Sequence, residues 1–286
     1  MSVFVQDADF TLHHGDCLEV LSAMPDGSAD CCVTSPPYID ARAEVPEFNP
    51  GLWPALFEKL SRVVDGGMVW NVGRVWRGGV EQLWWTELIQ AASFSGWQHW
   101  DTLVWAKPNA NPIHGRVLAN SHEYALLFGR DGIRFNEDAL RRPHTESTRA
   151  RFSRPWKEHR GVKDMTSRNR VTGRPPLNPL GARPRSYFEA CVGGSKGNPH
   201  PTPMAAEVAE RYVSVASWPG QTVLDPFMGS GTTALVARSL GRRSIGIELN
   251  AEYCALAAGR LGQQSLLTEI PPDVGGGREP AEAGVS

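Results

Sequence analysis

Along most of this 286-residue chain, short apolar runs of strand character alternate singly with longer stretches of helical spacing. That alternation leaves few folds open. A strand always followed by a helix must cross over before it meets its next neighbour, and such crossovers build a mainly parallel sheet. Residues 10–14, 31–33, 68–72, 99–106, 124–128, 222–224 and 243–247 read as strands; 18–24, 53–64, 81–94, 204–217, 232–240 and 251–261 have helical spacing. The expected class is therefore α/β.

Two strand ends carry unusual chemistry. The run Cys31-Cys32-Val33 leads into Thr34-Ser35-Pro36-Pro37-Tyr38. Two successive prolines hold the backbone extended, and a residue before proline is pushed out of the helical region. Proline has no N–H, so Ser35 and Pro36 present acceptors with few local donors to occupy them. Such a ledge suits a planar group with an exocyclic amine: the amine donates to the ledge, and the Tyr38 ring stacks on its face. Taken alone, these five residues read more readily as a strand entering a Pro-Pro turn.

The second stretch is Asp225-Pro226-Phe227-Met228-Gly229-Ser230-Gly231-Thr232-Thr233, between a strand and a helix. Glycines there let the backbone turn tightly and approach a ligand, and the helix start offers free N–H groups. It is not a phosphate loop, because no Lys-Ser/Thr follows the last glycine. It also misses the dinucleotide fingerprint, since Ala234 holds the third glycine position. Instead the turn opens on a carboxylate, which repels a pyrophosphate and attracts an ammonium group. Glu248 ends the next strand, where a carboxylate can accept from ribose hydroxyls, and Asp16 closes the first strand in the same way. Singly, each acid also reads as a cap or turn residue. Together they match a ligand with an ammonium group, a ribose and an adenine amine, and S-adenosylmethionine is such a ligand.

The overall charge of −2 hides a segregation. Residues 130–200 hold 16 of the 29 Lys/Arg but only 7 of the 31 Asp/Glu, with prolines at 143, 155, 175, 176, 179, 184 and 199. This basic block reads as an insertion of loops and short elements outside the main sheet, with the footprint of polyanion binding. The five cysteines show no C-x-x-C spacing, which fits reduced thiols better than a disulfide framework or a zinc site. No metal site is expected. No apolar run reaches the length of a membrane span, and the N-terminus lacks the basic start and apolar core of a signal peptide. A cytoplasmic protein without a membrane partner is expected.

Ser35-Pro36-Pro37-Tyr38 resembles the (Asp/Asn/Ser)-Pro-Pro-(Tyr/Phe) motif of the DNA amino-methyltransferases, and Asp225-Pro226-Phe227-x-Gly229-Ser230-Gly231-Thr232-Thr233 resembles their cofactor loop. Their order, catalytic motif first and cofactor loop last, is that of the β group. Gly15-Asp16-Cys17, Trp105-x-Lys107-x-Asn109, His122-Glu123 and His200-Pro201-Thr202 are similar to its weaker marks. The resemblance implies a circularly permuted, Rossmann-like S-adenosylmethionine-dependent methyltransferase fold. Its sheet is seven-stranded and mainly parallel, with helices on both faces and an inserted target-recognition region. The divisions implied are a catalytic half (1–129), the basic target-recognition insertion (130–199), a cofactor-binding half (200–262) and a disordered tail (263–286). Ser35, Pro36, Pro37 and Tyr38 are the implied catalytic residues. Asp16, Cys17, Thr34, His200, Thr202, Asp225, Phe227, Gly229, Ser230, Gly231, Thr232, Thr233, Glu248 and Asn250 are the implied cofactor-binding residues. Double-stranded DNA is the implied partner, with a second copy of the chain and a cognate restriction endonuclease as candidates.

In this family a first-position Ser goes mostly with the N4 amine of cytosine, and Asp or Asn mostly with the N6 amine of adenine. Cytosine-N4 methylation with base flipping is therefore expected, and adenine-N6 is the alternative. A non-catalytic DNA-binding protein would need neither the Gly turn nor the carboxylates. A nicotinamide-dependent oxidoreductase would leave the ledge and the basic block without a role, and methylation of RNA or of a small molecule would keep the cofactor site alone.

Overall fold

A computed structural model describes residues 2–38, 49–110, 118–153, 176–192 and 204–268. In chain order these residues form β1 (Ser2–Gln6), β2 (Phe10–His14), α1 (Cys17–Ala23), β3 (Cys31–Thr34), α2 (Trp53–Val63), β4 (Met68–Val72), β5 (Val75–Arg77), β6 (Val80–Gln82) and α3 (Trp85–Phe94). There follow β7 (Gln98–Ala106), β8 (His122–Gly129), α4 (Glu146–Ser153), β9 (Tyr187–Glu189), α5 (Ala206–Ala216), β10 (Thr222–Asp225), α6 (Thr232–Ser239), β11 (Arg243–Glu248) and α7 (Ala251–Thr268).

Nine strands make one sheet in the order β1-β2-β11-β10-β3-β4-β8-β7-β9. The pairs β2–β11, β11–β10, β10–β3, β3–β4 and β7–β9 are parallel. β1 and β8 run against the rest. The seven strands from β2 to β7 are the expected set, and an edge strand is added at each side. The permutation is visible in the order: β10 and β11, made last, lie between β2 and β3, made first.

Alternation along each strand sends side chains to opposite faces. Met68, Trp70 and Val72 of β4 face the cluster that holds Leu21, Trp53 and Phe57, under α1 to α3. Val69 faces the other way, with Cys31, Val33 and Val223, against Val208, Tyr212 and Val213 of α5. A third cluster joins Phe10 and Leu12 of β2 to Cys254, Ala257 and Leu261 of α7. Helices therefore cover both faces, and burial fixes the register, because a one-residue slip would turn every apolar side chain outward.

Two expectations are corrected. The helix expected from Glu81 begins at Trp85, because Gly78 and Gly79, with φ of +57° and +82°, turn β5 back onto β6. Positive φ at both central residues is the hairpin turn whose twist matches its strands. The basic block also does not stay outside the sheet. Tyr187–Glu189 pairs with β7, and Phe188, 2% exposed, packs in the cluster with Trp105 and Tyr212. The Trp105 indole N–H donates to the Ala190 carbonyl at 2.8 Å. Without β9, β7 would be an open edge, which sheets rarely leave bare. The expected disordered tail falls largely outside the described residues. Among those described, no helix is long and apolar enough to cross a membrane, and no cluster of three or more His, Cys, Asp or Glu is placed to hold a metal ion.

Candidate active site

The site forms where β2, β11, β10, β3 and β4 end side by side. Because these strands are parallel, their carboxyl ends share one edge of the sheet, and ligands of open α/β sheets lie outside that edge. Val223 and Leu224 of β10 pair with Cys31 and Cys32 of β3. This register places Asp225 beside the end of β3, where the Thr34 hydroxyl donates to Asp225 Oδ1 at 2.6 Å. The Pro-Pro ledge and the glycine turn, nearly two hundred residues apart in sequence, are thus joined directly.

The glycine turn is shaped by backbone demands. Gly229 and Gly231 have φ of +53° and +81°, a region that side chains resist. Gly246, opposite on β11, leaves room for Met228: a Cβ there would lie 1.7 Å from its sulfur. Arg260 of α7 donates to the Ser230 carbonyl and, at 3.0 Å, to its hydroxyl, pinning the turn to the last helix. Phe227 lies edge-on to Trp70 at 6.4 Å, and its N–H donates to Asp225 at 3.1 Å. Thr232 and Thr233 are buried at the start of α6, with the Thr233 side chain bonded to Asp225.

Two carboxylates line the turn, Asp225 buried and Glu248 half-buried. Burial raises the Asp225 pKa to about 6, against the bonds from Thr34, Thr233 and Phe227 that favour its charge. Glu248 is also raised by burial, although its oxygens accept from the N–H groups of Asn250 and Gly229, both at 2.8 Å. Neither forms a salt bridge with a described residue. A buried anion without a counter-charge is costly, so this donor set suits a ligand that brings positive charge and hydroxyl donors.

Other expected residues have local duties. Asp16 Oδ1 accepts from the N–H groups of Leu18 at 2.8 Å and Glu19 at 3.2 Å, capping α1. Asn250 caps α7 through Glu252 and Tyr253. Burial pushes the thiols of Cys17 and Cys31 up to about 12 and that of Cys254 to about 11, with Cys32 also well above the ordinary value. These four are not thiolates at neutral pH. His200 and Thr202 lie outside the described residues.

On the ledge, Pro36 is buried while Ser35 and Tyr38 are half-buried. Ser35 Oγ lies 3.5 Å from the Tyr38 oxygen, at the outer limit of a hydrogen bond. The Tyr38 hydroxyl donates to Glu123 Oε2 at 3.0 Å and accepts from the Asn71 amide at 3.0 Å. Asn71 also donates to Glu123 at 2.6 Å and accepts from the Tyr212 hydroxyl at 2.9 Å. Lys107 pairs with the other oxygen of Glu123. Burial, with Glu123 alongside, holds the Tyr38 phenol well above its usual pKa, so it stays a neutral donor. Asn71 and Tyr212 are the members that sequence reasoning missed. The available signal was an amide inside the otherwise apolar run Met68-Val69-Trp70-Asn71-Val72.

The raised pKa of Asp225 has a stability consequence. The folded chain holds this carboxyl more easily neutral than charged, so a penalty is absent below pH 4, grows towards pH 6 and is complete above it. Asp225→Asn keeps an oxygen for Thr34 and Phe227 but removes the charge. The ligand-free variant should gain on the order of 3 kcal/mol or less at pH 7.5 and nothing at pH 4. Thermal melts at both values check this; a gain that persists at pH 4 contradicts it.

The family model described as DNA methylase, that of the N6/N4 methyltransferases, matches residues 29–259. The type II methyltransferase M.XycI of Xanthomonas campestris pv. cyanopsidis is 29% identical over 306 aligned positions, covering 91% of this chain and 90% of its own. M.ScaI of Streptomyces caespitosus is 28% identical over 279 positions, covering 90% and 83%. Among solved structures, TTHA0409 of Thermus thermophilus superposes with a TM-score of 0.59 at 26% identity, covering 88% of this chain and 94% of that one. PvuII DNA methyltransferase (cytosine-N4-specific) shares the fold with a TM-score of 0.66 at 18% identity, covering 94% and 89%. The family match runs from just before β3 into α7 and takes in both the ledge and the glycine turn, so this chain belongs to the N6/N4 DNA methylase family.

Proposed function

We propose that this DNA methyltransferase acts on the exocyclic N4 amine of cytosine in duplex DNA, which it takes out of the base stack. The observation that carries the reading is the contact of Thr34 with Asp225, which sets an amine-accepting ledge beside a buried carboxylate that makes no salt bridge with a described residue. S-adenosylmethionine is the cofactor and supplies a sulfonium-activated methyl group. Asp225 would hold its ammonium group, Glu248 its ribose hydroxyls and the Asp16–Cys17 corner its adenine. The backbone of residues 229–233 would line its path.

The amine of cytosine is a poor nucleophile, because its lone pair is delocalised into the ring. The Ser35 hydroxyl and the Pro36 carbonyl accept from its two N–H groups, which favours a pyramidal nitrogen with an exposed lone pair. The nitrogen bonds to the methyl carbon as the methyl–sulfur bond breaks, the cofactor's sulfur is left as a neutral thioether, and the surplus proton on nitrogen passes to solvent. Positioning and preorganised acceptors carry such a step without a covalent enzyme intermediate. The protonated cysteines agree with that, since a ring-carbon methylation would need a thiolate. Extruding the base costs a few kcal/mol, and stacking on Tyr38 returns about 1–3 kcal/mol. With its hydroxyl tied to Glu123 and Asn71, the Tyr38 ring is oriented before the base arrives. The basic stretch 130–199 is the natural candidate for target recognition. Ser at the first ledge position supports cytosine over adenine.

Nucleoside mass spectrometry of DNA from a host expressing the chain should show N4-methylcytosine; N6-methyladenine alone would defeat the base assignment. Ser35→Ala should lower kcat by about 100-fold and leave the Kd for S-adenosylmethionine nearly unchanged, as calorimetry can measure. Tyr38→Phe removes the donor of the Tyr38–Glu123 hydrogen bond and Glu123→Ala its acceptor. Their effects on kcat should be non-additive, with a coupling of about 1–2 kcal/mol, whereas strict additivity would show that Glu123 does not act through Tyr38.

A further inference from the structure

A serine hydroxyl donates a hydrogen bond as readily as it accepts one. By itself, Ser35 would bind a carbonyl oxygen as well as an amine, and could not tell an amino base from a keto base. The groups behind it remove that freedom. Glu123 only accepts, so each of its partners must spend a hydrogen on it. Lys107 serves Oε1, its ammonium nitrogen lying 4.9 Å from the Trp105 ring. The Tyr38 hydroxyl and the Asn71 amide both serve Oε2, at 3.0 and 2.6 Å. The Asn71 NH2 is thereby turned towards Glu123 and Tyr38, and its carbonyl towards the Tyr212 hydroxyl 2.9 Å away. Asn71 and Tyr212 are buried, and the side chains of Lys107 and Glu123 are 11% and 13% exposed, so bulk water does little to reset the pattern.

The Tyr38 phenol has one hydrogen, and Glu123 takes it. Towards Ser35, 3.5 Å away, the phenol oxygen can only accept. The Ser35 hydrogen is drawn back from the ledge, and its oxygen meets the base with lone pairs. The Pro36 carbonyl beside it never donates. We infer that Glu123 is a positioning residue that selects amino against keto bases. Acting through Tyr38, it fixes Ser35 as an acceptor, so that N–H groups are bound and a carbonyl oxygen at the same place, as in uracil or hypoxanthine, is repelled. The inference rests on the reading that the ledge receives an exocyclic amine. A site whose polar groups the wrong partner leaves unpaired discriminates more strongly than one that only fits a shape. Glu123→Gln should turn the chain of hydrogens round. Lys107 would hold the new amide oxygen, the amide NH2 would donate to Tyr38, the phenol hydrogen would turn to Ser35, and the Ser35 hydrogen would point at the base. Asn71 can flip and the Tyr212 hydroxyl can rotate to follow, since both groups donate and accept.

The test measures Kd for two duplexes bearing the sequence that the wild type methylates, with S-adenosylhomocysteine present so that no turnover occurs. They differ only at the target: cytosine against uracil, or adenine against hypoxanthine where adenine is the base methylated. The target stands opposite an abasic position, so base pairing does not enter. The wild type should favour the amino duplex by roughly tenfold or more. Glu123→Gln should cut that preference by about tenfold, with its S-adenosylmethionine affinity unchanged. Tyr38→Phe, which severs the chain without altering Glu123, should cut it too. In a Ser35→Ala background, Glu123→Gln should change the preference no further. A preference that survives Glu123→Gln, or that falls as much when the Ser35 hydroxyl is absent, overturns the inference and leaves the ledge reading standing. A wild type that methylates no DNA, or that binds both duplexes alike, refutes the amine ledge itself, and the inference with it.

Discussion

One hydrogen bond, from Thr34 to Asp225 across 191 positions of sequence, fixes the relation on which the site depends. It exists because β3 and β10 are parallel neighbours, so a strand that ends in a ledge and a strand that ends in a turn finish at the same level. Neither motif could hold two reacting groups alone. The ledge offers acceptors and a ring but no place for a cation, and the turn offers a buried anion but no platform for a base. Their adjacency also shapes the electrostatics. Thr34, Thr233 and the Phe227 N–H pull Asp225 towards its charged form, burial pulls harder the other way, and the carboxyl is left close to neutral pH. A site that strains a charge in the absence of ligand gains more when the ligand's positive end arrives.

Behind the ledge lies a second layer of fixed polar groups. Glu123 is held by Lys107, Asn71 and Tyr38, and Asn71 is held in turn by Tyr212 of α5. The network crosses the sheet: Trp70 packs under α2, whereas Tyr212 comes from the opposite layer. Buried polar groups cost stability unless every member is bonded. Here the bonds from Lys107, Asn71 and Tyr38 converge on one carboxylate.

Much of this was legible in the sequence, for reasons that differ between elements. The strands were readable because burial on both faces demands continuous apolar runs, as in Cys31-Cys32-Val33. The ledge and the turn were readable because proline and glycine act on the backbone wherever they stand. Asp16, Asp225 and Glu248 were readable as strand-end acids, although Asp16 proved also to cap α1. What stayed hidden depends on distant partners. Nothing local in Tyr187-Phe188-Glu189 tells that β7 needs an edge partner. The helical spacing after Gly79 masked a hairpin that only pairing with β5 creates. Asn71 stood out as an amide in an apolar strand, but its partners lie 33, 52 and 141 positions away.

The interleaving of β10 and β11 between β2 and β3 bears on how such a chain is born. Synthesis runs from the N-terminus, so the ribosome delivers β2, β3 and β4 long before residues 222–248 exist. Until then the centre of the sheet is a gap flanked by two bare edges, and the ledge has no Asp225 to anchor it. Distant pairings of this kind close late and leave sticky intermediates. A nascent or interrupted chain therefore carries the Pro-Pro ledge without the strand that anchors it, and the two halves of the site meet only once the last two strands are in place.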